Sequence, residues 1–297
     1  MENPPDSAAL LWQCRGHRLD LAPRGEIMAI LNVTPDSFSD GGDFLDPARA
    51  IQRGLEMLDQ GAALLDIGGE STRPGAEPVP EDRELHRVLP VIQGILARRP
   101  RALVSIDTMK APVAEAALAV GASIVNDVTA LRGDPRMAEV VARSGAGVVL
   151  MHMLGTPRTM QRAPRYTDVV AEVAAFFSER LATATAAGID PAAIVLDPGI
   201  GFGKTLEHNL ALLRHLDRLA AEAARPLLLG VSRKSFIPKM LGAALRGDED
   251  NLGARSLPTA VITALARQQG VRLHRVHEVP PNLAALRTAE ALQTTAG

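Results

Sequence analysis

Asn32, Asp66, Asp107, Asn126, His152, Asp197 and Lys234 each follow closely on a short apolar run, and a last run carries Arg275 and His277. The first seven runs are residues 27–31, 63–65, 102–106, 123–125, 147–150, 194–196 and 227–231. A carboxylate after a buried run needs a partner, because burying an unpaired charge is costly. One isolated aspartate there reads as a cap for the next helix. Asp66, Asp107 and Asp197, with Asn32 and Asn126 in equivalent places, read instead as one binding surface.

A carboxylate accepts parallel N–H bonds, and an amide both gives and accepts. Together they suit a neutral ring bearing amino and ring N–H donors, such as a pterin. Lys234 can answer a ring carbonyl or nitrogen. Phe202 and Met151 can cover a flat face, although core packing is the ordinary role of each. Asp66 is the weakest of the three carboxylates as a ligand contact, since it can instead hold Ser71 and Thr72 of its own loop.

A second group is cationic: Arg73, Arg275 and His277, with Ser71, Thr72 and Ser232 as hydroxyl donors. On a chain of formal charge −2, cations gathered at strand tips suggest an anion site. Arg275 and His277 alternate along one strand, point the same way and can grip one phosphate. Surface salt bridges are the ordinary alternative for Arg275. A diphosphate brings Mg²⁺, which keeps several waters and takes few protein oxygens. Asn32 can supply one of them.

Between the apolar runs lie stretches of helical period, at residues 47–60, 81–97, 112–120, 135–142, 168–187, 206–223, 253–268 and 282–292. In residues 206–223, for example, Leu210, Leu213, Leu216 and Leu219 share a face. Strict alternation of such elements implies a parallel sheet covered by helices. An open doubly wound sheet is compatible, but a closed α/β fold, the (β/α)8 TIM barrel, better suits the count and length, needing about 250 residues. A single domain is expected over residues 11–297, with a hairpin at 11–22 closing the barrel bottom and a disordered segment at 1–10. Ligands bind such barrels at the carboxyl ends of the strands, where the long loops 32–46 and 68–80 can act as lids.

Composition narrows the function classes. The 297 residues carry 46% apolar and only 3% aromatic side chains, which gives a sizeable core but little for base stacking. With 32 basic and 34 acidic residues there is no general pull toward nucleic acid. Charges such as Arg98, Arg99 and Arg101 read as solvated surface. The lone Cys14 allows no intrachain disulfide and fits a reducing compartment. The N-terminus lacks a signal-peptide pattern and no apolar run approaches the roughly 18 residues of a membrane span, so a cytoplasmic protein is expected.

Several motif signals fail. Residues 199–205 resemble a phosphate loop, but Pro198 stands where Walker A needs glycine, and the spacing is not GxGxxG either. His152 lacks a neighbouring zinc-ligand pattern, and no GxSxG nucleophile elbow occurs.

Several longer stretches complete the picture: residues 30–42 (ILNVTPDSFSDGG), 66–75 (DIGGESTRPG), 105–108 (SIDT), 125–127 (VND), 197–204 (DPGIGFGK), 230–235 (GVSRKS) and 275–277 (RVH). In this order they resemble the signatures of the dihydropteroate synthase family of pterin-binding TIM barrels, over roughly residues 27–279. The resemblance implies a folate-pathway transferase joining p-aminobenzoate to 6-hydroxymethyl-7,8-dihydropterin diphosphate, with Mg²⁺ as cofactor and a homodimer as assembly. Carried over by motif, Asp107, Asn126, Asp197 and Lys234 bind the pterin, with Phe202 and Met151 lining its pocket. Thr72, Arg275 and His277 hold the diphosphate, Val276 lies in the same motif, and Asn32 coordinates Mg²⁺. Arg73, Ser235 and Phe202 belong to the p-aminobenzoate site, and the catalytic group is Asp107, Lys234, Arg275 and His277. Glu278 departs from the aspartate or asparagine common in the family.

Two rivals share parts of this pattern. A methyltransferase acting on methyltetrahydrofolate would read the pterin but need neither diphosphate nor Mg²⁺, so Arg275, His277 and the complete lid loops argue against it. A non-catalytic paralogue would be expected to have lost lid or diphosphate residues, which are present here.

Overall fold

Alternation along each strand sorts side chains between two layers. Leu64 packs into one cluster with Met28, Ile124, Val149, Val195, Leu228 and Leu273. Its neighbours Leu65 and Ile67 join Ile27, Ala29, Leu31, Val104, Ile106 and Val276 in the layer beneath the helices. A sheet buried on both faces in this way must curve or be covered, and here it closes.

The computed structural model describes residues 10–34, 46–72, 75–223, 225–245 and 251–293. A short antiparallel hairpin, β1 (Leu11–Cys14) and β2 (His17–Asp20), comes first. The barrel strands are β3 (Glu26–Asn32), β4 (Leu64–Gly68), β5 (Leu103–Asp107), β6 (Ile124–Asp127), β7 (Gly147–Met151), β8 (Ile194–Asp197), β9 (Leu228–Leu229) and β10 (Leu273–Val276). All pair in parallel in the order β8-β7-β6-β5-β4-β3-β10-β9. A parallel bridge between Leu196 and Leu227 joins the two ends, and Leu196 N–H donates to the Pro226 carbonyl at 3.1 Å. The closed barrel is therefore present and the open doubly wound sheet is not.

The helices are α1 (Pro47–Asp59), α2 (Glu81–Arg98), α3 (Ala111–Ala119), α4 (Met137–Ser144), α5 (Val169–Ala186), α6 (Leu206–Arg214), α7 (Leu216–Ala223), α8 (Phe236–Leu241), α9 (Ser256–Gln268) and α10 (Val279–Gln293). Their starts follow local chemistry: Asp46 caps α1 ahead of Pro47, Asp168 caps α5, and Thr205 forms a capping box with His208 on α6. Two departures from the periodicity are tertiary. The helix expected over 206–223 breaks at His215, where Gln269 accepts from Leu216 N–H at 3.2 Å and donates to the Leu213 carbonyl at 3.0 Å. The short α8, between Lys234 and the following loop, has no apolar period long enough to be read.

The hairpin plugs the amino-terminal end of the barrel. Trp12 is fully buried against the cluster containing Met28 and Leu64, and its indole N–H donates to the Ala193 carbonyl at 2.8 Å. Cys14 is buried beside it, and burial pushes its thiol well above the ordinary range, which suits packing rather than nucleophilic work. Leu10 corrects the expectation of disorder through residue 10: it is buried, and its carbonyl accepts from Leu21 N–H at 3.0 Å. The rest of that expected disordered segment lies outside the described residues.

Candidate functional site

The same alternation that buries Leu64 and Leu273 at the bottom of the lumen brings polar residues higher inside it. Two residues on from Leu64 comes Asp66; two on from Ile124 comes Asn126; two on from Val195 comes Asp197; two and four on from Leu273 come Arg275 and His277. Register then sets their neighbours, with Asp107 opposite Asn126 and Met151 opposite Asp197.

At the centre Arg275 holds two carboxylates. Its Nε donates to Asp66 Oδ2 and a terminal nitrogen donates to Asp107 Oδ2, each at 2.6 Å. Asn126 Nδ2 donates to the same Asp66 oxygen at 2.9 Å. Asp66 is fully buried in this network, with Arg275 and Asn126 as partners, where its position before the lid loop suggested Ser71 and Thr72. Its strand places it on the lumen face, where the nearest cation is Arg275. Burial alone would lower the Arg275 pKa, but Asp66 and Asp107 more than offset this and hold the guanidinium charged. Burial pushes Asp107 up to about 7 although Arg275 pulls the other way. Asp66 Oδ1 and Asp107 Oδ1 are buried without a hydrogen-bond partner among the described residues. Such acceptors are costly to leave unmet, and a ligand with N–H donors would satisfy them.

Across the lumen, Asp197 is buried, and its Oδ1 accepts from Gly199 N–H at 2.7 Å. Burial raises its pKa, and Lys234 acts against the rise. Lys234 Nζ donates to the Ile200 carbonyl and lies 4.5 Å from the centre of the Phe202 ring. Burial lowers the Lys234 pKa to about 8. Phe202 also packs against a small cluster of Val128, Met151, Met153 and Met160, with Met109 at its edge. A polarisable methionine wall of this kind adapts to a flat ring. Of this wall the sequence marks only Met151 and Phe202, because Met109, Met153 and Met160 stand in loops with no periodic signal.

Ser232 and His277 form a third grouping. His277 N–H donates to Ser232 Oγ at 3.2 Å, and the same hydroxyl lies 2.9 Å from His277 Nδ1. A hydroxyl that donates to Nδ1 leaves the imidazole proton on Nε2. Val276 does not join the site through its side chain: it faces the helix layer and is buried there, as strand alternation requires between Arg275 and His277. Asn32 stands at the end of β3, Thr72 is half-buried in the loop after β4, and Ser235 is exposed before α8. Arg73 lies outside the described residues, as do residues 35–45 of the first lid.

The glycine-rich loop after β8 is held by a residue whose role the sequence did not reveal. Lys204 is buried, and its Nζ contacts His152 Nδ1 at 2.9 Å, the Gly199 carbonyl at 3.0 Å and the Phe202 carbonyl at 3.1 Å. His152 is buried too, with its pKa lowered to about 2 by burial and then by Lys204, so it is a neutral acceptor. Glu278, the departure from the family pattern, pairs with Arg233 at 3.3 Å, beside the Ser232–Lys234 turn where Arg233 has φ +61°.

A closed barrel with polar residues gathered in its lumen has counterparts in known proteins. A family model described as pterin binding enzyme matches residues 28–277. Dihydropteroate synthase from Mycobacterium leprae (strain TN) is 47% identical over 274 residues, covering 92% of this chain and 95% of its own length. The chain belongs to the dihydropteroate synthase family. The Xanthomonas albilineans family member solved with 4-aminobenzoic acid superposes with a TM-score of 0.86 at 44% identity, covering 97% of this chain and 99% of its own. The same organism's dihydropteroate synthase in complex with 7,8-dihydropteroate gives 0.82 at 42% identity, with 96% and 99% covered. The family's barrel thus extends through the lumen residues described above.

Proposed function

We infer that this chain condenses p-aminobenzoate with 6-hydroxymethyl-7,8-dihydropterin diphosphate to give 7,8-dihydropteroate and diphosphate. The observation that carries the reading is the lumen floor, where Asp107 and Asp197 approach from opposite sides with Asn126 and Lys234 between fixed partners. Carboxylate acceptors meet the amino and ring N–H groups of a pterin, the Asn126 amide supplies mixed polarity, and Phe202 with Met151 covers the ring face.

The reaction breaks the C–O bond between the pterin methylene and the diphosphate and forms a C–N bond to the arylamine, which then loses a proton. Thr72, Arg275 and His277 are the residues we place on the diphosphate side, where positive charge and N–H donors stabilise the departing anion. Positioning the amine against the methylene carbon supplies most of the remainder, since no protein nucleophile is needed. Among the described residues no three His, Cys, Asp or Glu gather into a metal cluster. A diphosphate-borne Mg²⁺ asks for few protein oxygens, and the Asn32 amide fits as one of them. When bound, Mg²⁺ offsets charge on the diphosphate.

We further propose a homodimer, on the support of α9, where Leu257, Val261 and Leu265 fall four residues apart and are 73%, 50% and 53% exposed. No helix among the described residues is long and apolar enough to cross a membrane, and we propose a cytoplasmic enzyme. The direct test supplies purified protein with both substrates and Mg²⁺ and measures released diphosphate. Release that requires p-aminobenzoate supports the reading, and folded protein that releases none sinks it.

A further inference from the structure

A charged triad outside the lumen ties the second lid to the barrel. Lys110 Nζ is hydrogen-bonded to both Glu70 and Glu84. Glu70 belongs to the loop after β4, Glu84 to the first turn of α2, and Lys110 precedes α3, three residues beyond Asp107. Glu84 is fully buried, and its second oxygen has no partner among the described residues. Burying a lone carboxylate is unfavourable, so Lys110 is required as its counter-charge. The same ammonium also reaches Glu70, whose side chain is 10% exposed.

The backbone next to Glu70 is already anchored. Val33 N–H donates to the Gly68 carbonyl at 2.7 Å, and Arg87 donates to the Gly69 carbonyl at 2.6 Å. Gly69 lies flat on α2, where an added Cβ would come within 2.9 Å of Val88 and 3.0 Å of Glu84. Glu70 is the next residue along, bonded to Lys110, and Ser71 and Thr72 follow it directly in the chain. We propose that Lys110, gripped between Glu70 and Glu84, is a positioning residue that sets Thr72 on the diphosphate side of the site. This rests on the diphosphate reading given above and adds to it a residue that touches no substrate.

Replacing Lys110 would leave Glu84 buried without a counter-charge, so the cleaner probe is Glu70→Ala, which keeps the Lys110–Glu84 pair. Binding of 6-hydroxymethyl-7,8-dihydropterin diphosphate and of the bare 6-hydroxymethylpterin ring would be measured by calorimetry, beside amide exchange over residues 69–72. A loosened segment exchanges faster, and a misplaced contact weakens only what it touches. The expected result is about a tenfold loss of affinity for the diphosphate, ring affinity kept within about twofold, and faster exchange, with Glu70→Gln intermediate. Equal loss for both ligands, or no change in either binding or exchange, overturns the proposal. Wild-type diphosphate release, assayed alongside, separates that outcome from failure of the functional reading itself.

Discussion

Asp197 does two jobs with its two oxygens. Oδ1 accepts from Gly199 N–H and fixes the turn that follows β8, which leaves Oδ2 for a ligand. Asp197→Asn separates the jobs, because the amide oxygen can keep the Gly199 bond while an NH₂ group replaces the second acceptor. Charge-assisted hydrogen bonds contribute about 1.5–3 kcal/mol each, so pterin affinity should fall by about a hundredfold with little change in melting temperature. Titration of the pterin into both proteins decides it, and equal affinities would remove Asp197 from ring recognition. Arg275 is a different case. Two carboxylates claim its guanidinium, so a diphosphate must bind beside an ion network that is already formed.

Among the elements, the loop from β8 to α6 depends most closely on its backbone. Gly199 has φ +66°, and a Cβ there would sit 1.9 Å from the His152 carbonyl oxygen. The approach is backbone to backbone, so side-chain movement cannot relieve it. Gly199→Ala therefore has to displace the segment that carries Ile200 and Phe202, and with it the acceptor and ring that hold Lys234. A shift of about 1 Å in such a wall can cost about a hundredfold in rate. We expect kcat/KM to fall by about that much while circular dichroism stays close to wild type, and an unimpaired variant would show that the close approach is dispensable. Lys204 acts on the same loop, joining the Gly199 and Phe202 carbonyls to His152.

For the whole molecule, buried neutral histidines link stability to pH. His274 is fully buried on β10, and burial, then Arg267, lowers its pKa to about 3. The unfolded chain protonates this residue near pH 6.5, whereas the folded chain resists until far lower. Its contribution is thus fully present above about pH 6.5 and is lost as pH falls toward 3. His274→Gln removes that linkage. Urea unfolding between pH 6.5 and 4 should show a shallower slope in the variant, by up to about 1.4 kcal/mol per pH unit. Parallel slopes would mean that His274 titrates alike in both states. Asp107, raised by burial, contributes with the opposite sign, so comparison between the two proteins is cleaner than the wild-type profile alone.

Residue order alone carries the barrel strands, their alternating faces and most of the lumen residues, because a period of two or 3.6 is written locally. It also sets Arg275 and His277 two positions apart on one side of the chain, although the structure ends β10 at Val276 and carries His277 just beyond it. Pairing is another matter. Asp66 and Arg275 are 209 positions apart, and nothing near Asp66 marks Arg275 as its partner rather than the hydroxyls of its own loop. That choice follows from closure of the barrel, which brings β10 beside β3 and sets the heights of residues across the lumen. The break between α6 and α7, bridged by Gln269, and the Lys110 triad have the same origin. Periodicity tells which way a side chain faces, while the partner it finds there depends on chain segments that only the closed barrel brings together.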